Sequence, residues 1–288
     1  MTRYPTATHT DSDTQQPAGL SLPIAPVFKE DKVQAATLAK HYAFQLIKPY
    51  QIPTANTRCT AGNQSSAHHF ALYLTLEAGK LSLLDATRPK EAGVSVDFAS
   101  DALEYRVKHG GGKQEFVARA VGIKGQEFPT VLDATGGLGK DAFILSSLGC
   151  RVTLVERSPV VAALLDNGLE RASLNVELAN WLPHQLTLKH ANSITLMQNW
   201  QAEAPDVIYL DPMFPHRKKS AAVKKEMRLF QQLLGVDPDS DALLAPAMAL
   251  AKTRVVVKRP ANAPYLAERK PQAKVSSKKH RFDIYLRT

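Results

Sequence analysis

The chain has 288 residues, 44% of them apolar and 22% charged, which excludes a collagen-like or wholly disordered protein. Lysine and arginine number 36 against 27 aspartates and glutamates; the formal charge of +9 points to a polyanionic partner. Two cysteines, Cys59 and Cys150, with no C-x-x-C pair, argue against a disulfide scaffold or a cysteine zinc site and fit a reducing cytosol.

Residues 1–22 are rich in Thr, Pro, Gln and Ser and lack the basic start and apolar centre of a signal peptide, so they read as a disordered tail. Glu30–Lys48 reads as a helix, with Val33, Leu38, Ala39, Tyr42, Leu46 and Ile47 at helical spacing and Pro49 as a stop. His69–Ala86 reads as two strands joined at Glu77–Lys80, where Gly79 supplies a positive φ. A short strand is expected at Val94–Phe98. Together these form a small α+β unit over residues 23–112, with a larger domain over 113–288. The longest apolar runs, Val160–Leu165 and Leu243–Ala251, fall far short of the roughly 20 residues a membrane span requires. A soluble, cytoplasmic protein is expected.

In the larger domain strands alternate with helices. Val131–Asp133, Arg151–Glu156, Gln185–Lys189, Asp206–Leu210 and Arg254–Lys258 are short β-branched or apolar runs, and KVSSKKHRFDIYLRT at the end reads as a hairpin. Helices follow at Asp141–Leu148 and after Ser158-Pro159, a capping residue followed by proline at the first helical position. The expected fold is α/β: a doubly wound, mostly parallel seven-stranded sheet with helices on both faces, the hairpin adding an antiparallel strand at one edge.

Ligands of such sheets bind beyond the carboxyl ends of the strands. The first βα turn, VLDATGGLGKDA, places Asp133 at a strand tip and Gly136, Gly137 and Gly139 where the backbone turns sharply against a ligand. Glu156 ends the second strand, placed to accept from two ribose hydroxyls. Gly137-x-Gly139-x-x-Ala142 formally satisfies a dinucleotide fingerprint, whereas a P-loop fails at Ala134 and Asp141. Acidic residues flanking the loop suit the cationic S-adenosylmethionine better than a pyrophosphate, although Asp141 also fits as an ordinary first-turn acid on a helix dipole.

The fourth strand ends in DPMFP. Asp211 and the backbone after it offer acceptors to an exocyclic amine, Pro212 fixes the turn, and Phe214 offers a ring for stacking a base. A strand-ending turn with a core phenylalanine is the plainer alternative.

GLGKD, V-E-R, DPMFPHRKKSAAVKKEMR and HRFDIYLRT together resemble the bacterial small-subunit ribosomal RNA methyltransferase J family, over about Gly110 to Thr288 and more loosely before it. The resemblance implies a class I, Rossmann-like, S-adenosylmethionine-dependent guanine-N2 methyltransferase acting on guanosine 1516 of 16S rRNA in the small ribosomal subunit. It implies that Lys140, Asp141, Glu156, Arg157, Asn192, Ser193 and Asp211 line the cofactor site, to which the reading of the βα turn adds Asp133, Gly137 and Gly139. Asn192 and Ser193 would meet the adenine. Where many amino-methyltransferases carry Asp-Pro-Pro-Tyr, this chain has Met213 and Phe214, which removes a phenolic hydroxyl.

Charge supports an RNA substrate independently. His216–Arg228 holds Arg217, Lys218, Lys219, Lys224, Lys225 and Arg228 against Glu226, and Glu268–Arg281 is equally basic. A basic run is otherwise often just a solvated face; here it adjoins the catalytic segment. The KHGGGK loop, Lys108–Lys113, fits a cofactor cover, an RNA contact or a plain linker equally. His68-His69 lacks further ligands at metal spacing, so no metal is expected; no membrane contact or protein partner is expected either. The alternatives are methylation of another amine such as adenine N6, a dehydrogenase, and a non-enzymatic ribosome assembly factor.

Overall fold

The computed structural model describes residues 22–48, 71–213, 225–235 and 239–287. Two compact units, 1–94 and 95–288, make up the chain. Residues 95–112, assigned above to the smaller unit, cluster with the larger one. The tail, except Leu22, and His68-His69 lie outside the described residues.

In the smaller unit β1 (Pro23–Pro26), α1 (Lys32–Tyr42), β2 (Gln45–Leu46), β3 (Leu72–Glu77) and β4 (Lys80–Asp85) build a sheet of order β2-β1-β3-β4. The helix expected to reach Lys48 stops at Tyr42, because Ala43 turns left-handed at φ 56°. Gln45 and Leu46 then pair in parallel with β1, so the apolar Leu46 and Ile47 belong to a strand edge. The β3–β4 hairpin forms as expected. Ala78 and Gly79 both take positive φ, 48° and 75°, which matches the right-handed twist of the flanking strands. Buried Asp31 anchors this turn: Oδ2 accepts from Ala78 N at 3.1 Å and Oδ1 from Gly79 N at 2.9 Å.

The larger unit opens with α2 (Asp101–His109) and α3 (Phe116–Val121). Then come β5 (Val131–Asp133), α4 (Lys140–Ser147), β6 (Val152–Glu156), α5 (Pro159–Ser173), α6 (Leu182–Gln185), β7 (Leu186–His190), α7 (Ser193–Gln198) and β8 (Val207–Leu210). The described remainder is α8 (Lys225–Leu234), α9 (Leu244–Leu250), β9 (Arg254–Pro260), β10 (Ala273–Ser276) and β11 (His280–Leu286). The seven strands run β10-β11-β9-β8-β5-β6-β7. β5 pairs in parallel with both β6 and β8, so the chain winds out one way from β5 and returns to wind the other way. The expected antiparallel strand is not at the edge: β11 lies between β9 and β10, antiparallel to both.

One face of the sheet buries Leu132, Ile208, Leu210, Val255, Val257 and Tyr285 against Met197 of α7 and Ala247 of α9. Each such side chain contributes about 1.5–3 kcal/mol when fully buried. On α5, Ser158 caps the start, its hydroxyl accepting from Val161 N, and Val161, Leu164, Leu165 and Ala172 are buried at helical spacing. Of the strand expected at Val94–Phe98, only Val94 makes a bridge, to Leu83. Val96 instead lies over α5 at Gly168, where an added Cβ would stand 2.6 Å from its Cγ1. KHGGGK ends α2 and begins the connection to α3, with Lys113 Nζ held by Gly125 O and lying over the Phe128 ring.

Candidate active site

β5 and β8 end side by side where the winding reverses, so Asp133 and Asp211 emerge together beside the glycine loop. The loop is pinned to β6. Gly136 N donates to Val155 O at 2.8 Å, and a Cβ on Gly136 would stand 3.0 Å from that oxygen and 3.1 Å from Glu156 Cβ. Only glycine permits that approach. Gly137 and Gly139 take φ of 53° and 68°.

Glu156, 8% exposed, joins the loop to the second strand. Its Oε2 accepts from Gly137 N at 3.0 Å and its Oε1 from Ser158 N at 2.7 Å. Burial raises its pKa while these amides and Arg157 oppose the rise. The rigid carboxylate, held by backbone amides at the rim of a backbone cradle, keeps acceptor capacity for a ribose hydroxyl. This cradle, which a single Cβ would fill, fits the ribose and cationic centre of S-adenosylmethionine.

Beyond the loop lies a charged cluster. Lys258 Nζ sits 2.7 Å from Asp211 Oδ2 and 2.8 Å from Asp141 Oδ2. Tyr209 donates its hydroxyl to Asp141 Oδ2 at 2.8 Å, and Arg106 reaches Asp141 Oδ1 at 2.9 Å while pairing with Glu115. Burial works against ionising Asp141, but Lys258 and Arg106 prevail and hold its carboxyl down at about 2. Among the described residues no cation pairs with Asp133, and burial, with Asp141 and Asp211 nearby, pushes it up to about 8. At neutral pH it is therefore protonated. Thr135 ties it to its neighbour: the threonine hydroxyl donates to Asp133 Oδ1 at 3.3 Å and accepts from Asp211 N at 2.6 Å.

A family described as "Putative SAM-dependent methyltransferase" matches residues 59–287. Ribosomal RNA small subunit methyltransferase J of Pseudoalteromonas atlantica is 63% identical over 219 residues, 75% of this chain and 85% of the relative. This chain belongs to the ribosomal RNA small subunit methyltransferase J family. The ribosomal RNA small subunit methyltransferase J of Aeromonas hydrophila is 49% identical over 238 residues, 83% of this chain and 95% of the relative. A crystal structure of a SAM-dependent methyltransferase from Neisseria gonorrhoeae matches with TM-score 0.64 at 31% identity, covering 92% of this chain and 95% of that one. The methyltransferase J fold thus agrees with the class I architecture read from the sequence.

Within this methyltransferase J chain the expected site residues divide. Asp133, Gly137, Gly139, Glu156 and Asp211 gather at the strand ends, and Pro212 is buried beside them. Asp141 is nearby, but its carboxylate is taken up by Lys258, Arg106 and Tyr209 and serves as their counter-charge. Ser193 turns inward, its hydroxyl donating to Ala134 O at 2.6 Å, and Asn192 Oδ1 caps α7 through Thr195 N at 3.1 Å. Lys140 pairs with Glu226 at 2.7 Å and Arg157 with Asp239 at 2.9 Å, so both cations face acids of the segment after β8. Phe214, Arg217, Lys218, Lys219 and Lys224 lie outside the described residues, while Lys225 and Arg228 are half-buried on α8.

Lys258, Tyr209, Arg106 and Thr135 join the site without having been expected from the sequence. For Lys258 a signal existed: a lysine directly after the three valines 255–257, in register just beyond the Leu210–Val257 pair and so beside Asp211. Arg106, 35 residues from Asp141, carried none.

Proposed function

We propose that the chain transfers a methyl group from S-adenosylmethionine to the exocyclic N2 of guanosine 1516 in 16S rRNA of the small ribosomal subunit. The observation that carries this reading is Asp211, held at the end of β8 by Thr135 and Lys258 beside the glycine loop and Glu156. The names of the relatives, ribosomal RNA small subunit methyltransferase J, support the substrate class.

When bound, S-adenosylmethionine supplies an electrophilic methyl on a sulfonium. The glycine cradle and Glu156 bind its nucleoside end. A guanine amine is a weak nucleophile because its lone pair is delocalised into the ring. Accepting a hydrogen bond from N2–H, Asp211 turns the amine and draws that lone pair outward, and it is placed to take the proton released once nitrogen has bonded to carbon. Pro212 fixes the turn that aims the following carbonyls, and Phe214 stacks on the base. Lys218, Lys219, Lys224, Lys225, Arg217 and Arg228 hold flanking phosphates, as does the exposed run Lys278, Lys279 and His280 at the β10–β11 turn.

The deciding experiment is transfer of labelled methyl to small subunits lacking the modification, with the labelled nucleoside identified. N2-methylguanosine at a single site is expected, and Asp211→Ala lowers turnover roughly 100-fold or more. Label in adenosine overturns the base assignment. Absence of label despite bound S-adenosylmethionine overturns the activity.

A further inference from the structure

The Asp211 carboxylate enters the site already gripped on one side. Its Oδ2 is 2.7 Å from Lys258 Nζ, and among the described residues nothing donates to Oδ1. The grip is built from several elements. β8 supplies Asp211 and Tyr209, β9 Lys258, α4 Asp141, and α2 Arg106 behind it. Lys258 is itself four-fifths buried and fixed by two carboxylates, so it cannot swing away to solvent as a surface lysine would. Tyr209 and Arg106 satisfy Asp141 from other directions, which leaves the ammonium free to balance Asp211.

We propose that Lys258 is a positioning residue of this methyltransferase: it holds Asp211 in the one orientation that leaves Oδ1 to accept from the substrate amine. A carboxylate on a strand end otherwise rotates about χ2 through a broad well and presents either oxygen in many directions. Fixing one oxygen on a buried cation removes that freedom before substrate arrives, which is how preorganised groups lower a barrier. Lys258 touches neither substrate nor donor in this scheme and acts through Asp211. The inference rests on the amine-orienting role proposed above for Asp211.

The test compares the full-length wild type with Lys258→Met and Lys258→Arg, measuring kcat, both KM values and the pH dependence of kcat. Among the described residues, the charged and titratable groups around Asp211 are Lys258, Asp141, Asp133, Tyr209 and His280, with Arg106 behind Asp141. Of these only residue 258 changes. Loss of the cation favours protonated Asp211, so in the Met variant the acidic limb of kcat moves to higher pH. Its kcat falls roughly 100-fold while both KM values stay within about twofold. The Arg variant keeps the charge but not the geometry; its limb stays in place and its kcat falls about tenfold.

A Met variant with near-normal kcat and an unmoved limb overturns the proposal. Should the Met variant fail to fold, as judged by loss of thermal protection by S-adenosylmethionine, the Arg variant decides. Wild-type kcat there refutes positioning; reduced kcat with an unmoved limb supports it. A wild type that transfers no methyl sinks the proposed function, which separates that failure from failure of the Lys258 inference.

Discussion

Asp133→Asn is the most informative single change. Asp133 is 3% exposed, its carboxyl is pushed up to about 8, and an unfolded chain would ionise it near pH 4. Between those values the native protein holds a proton that the unfolded chain has released. Stability therefore falls as pH rises across this window, by about 1.4 kcal/mol per pH unit, and levels off above pH 8. From pH 5 to pH 8 the loss attributable to Asp133 alone approaches about 4 kcal/mol, a large share of the roughly 5–15 kcal/mol that holds a domain folded. Asparagine keeps an oxygen for Thr135 N and cannot ionise. Urea unfolding of both proteins at unit pH steps from 5 to 9 isolates the contribution, since every other titrating group is common to both. The variant gains on the wild type steadily with pH; a difference that stays flat refutes a buried, protonated Asp133.

Gly136→Ala forces a Cβ to within 3.0 Å of a strand carbonyl and 3.1 Å of Glu156. It is expected to weaken S-adenosylmethionine binding at least tenfold by calorimetry and to cost about 1–3 kcal/mol of stability. Gly168→Ala sets two effects against each other. Helix propensity favours alanine by about 1 kcal/mol, but a Cβ 2.6 Å from Val96 Cγ1 and 3.1 Å from Val96 O overpacks the contact. Net destabilisation of about 1 kcal/mol is expected, and a raised Tm would show that the 95–98 segment yields. Neutralising Lys218, Lys219, Lys224 and Lys225 together lowers RNA affinity and flattens its dependence on salt by up to about 3–4 in log–log slope, read from binding curves at several salt concentrations.

The glycine loop, Glu156 and Asp211 were legible because their signal is local: strand, turn and capping residue lie in one short stretch. The counter-charges were not. Lys258 reaches Asp211 across 47 residues and Arg106 reaches Asp141 across 35, contacts that only the sheet order and the placing of α2 create. The same division holds for the fold. The β3–β4 hairpin announces itself through Gly79, whereas β1, PIAP with proline at both ends, carries no strand signal yet pairs on both sides. Helix α1 was overextended because Leu46 and Ile47 fit its period, and a left-handed alanine is invisible in sequence. Lys140, Arg157 and Ser193 are expected at the cofactor, but in the structure they meet Glu226, Asp239 and Ala134 O, contacts that spacing does not reveal.

The interior place of β11 has a consequence for how the molecule is made. Among the described strands β10 joins the sheet only through β11, although it is synthesised first. Until residues 280–286 are available, β9 is an open edge with its Val255–Val257 run and Lys258 exposed along one side. A nascent or nicked chain ending before His280 therefore presents an apolar strand ready to pair with another chain. Completion of the sheet and burial of the lysine behind Asp211 become a single late event, so chains cut short there should aggregate rather than linger as weakly active enzyme.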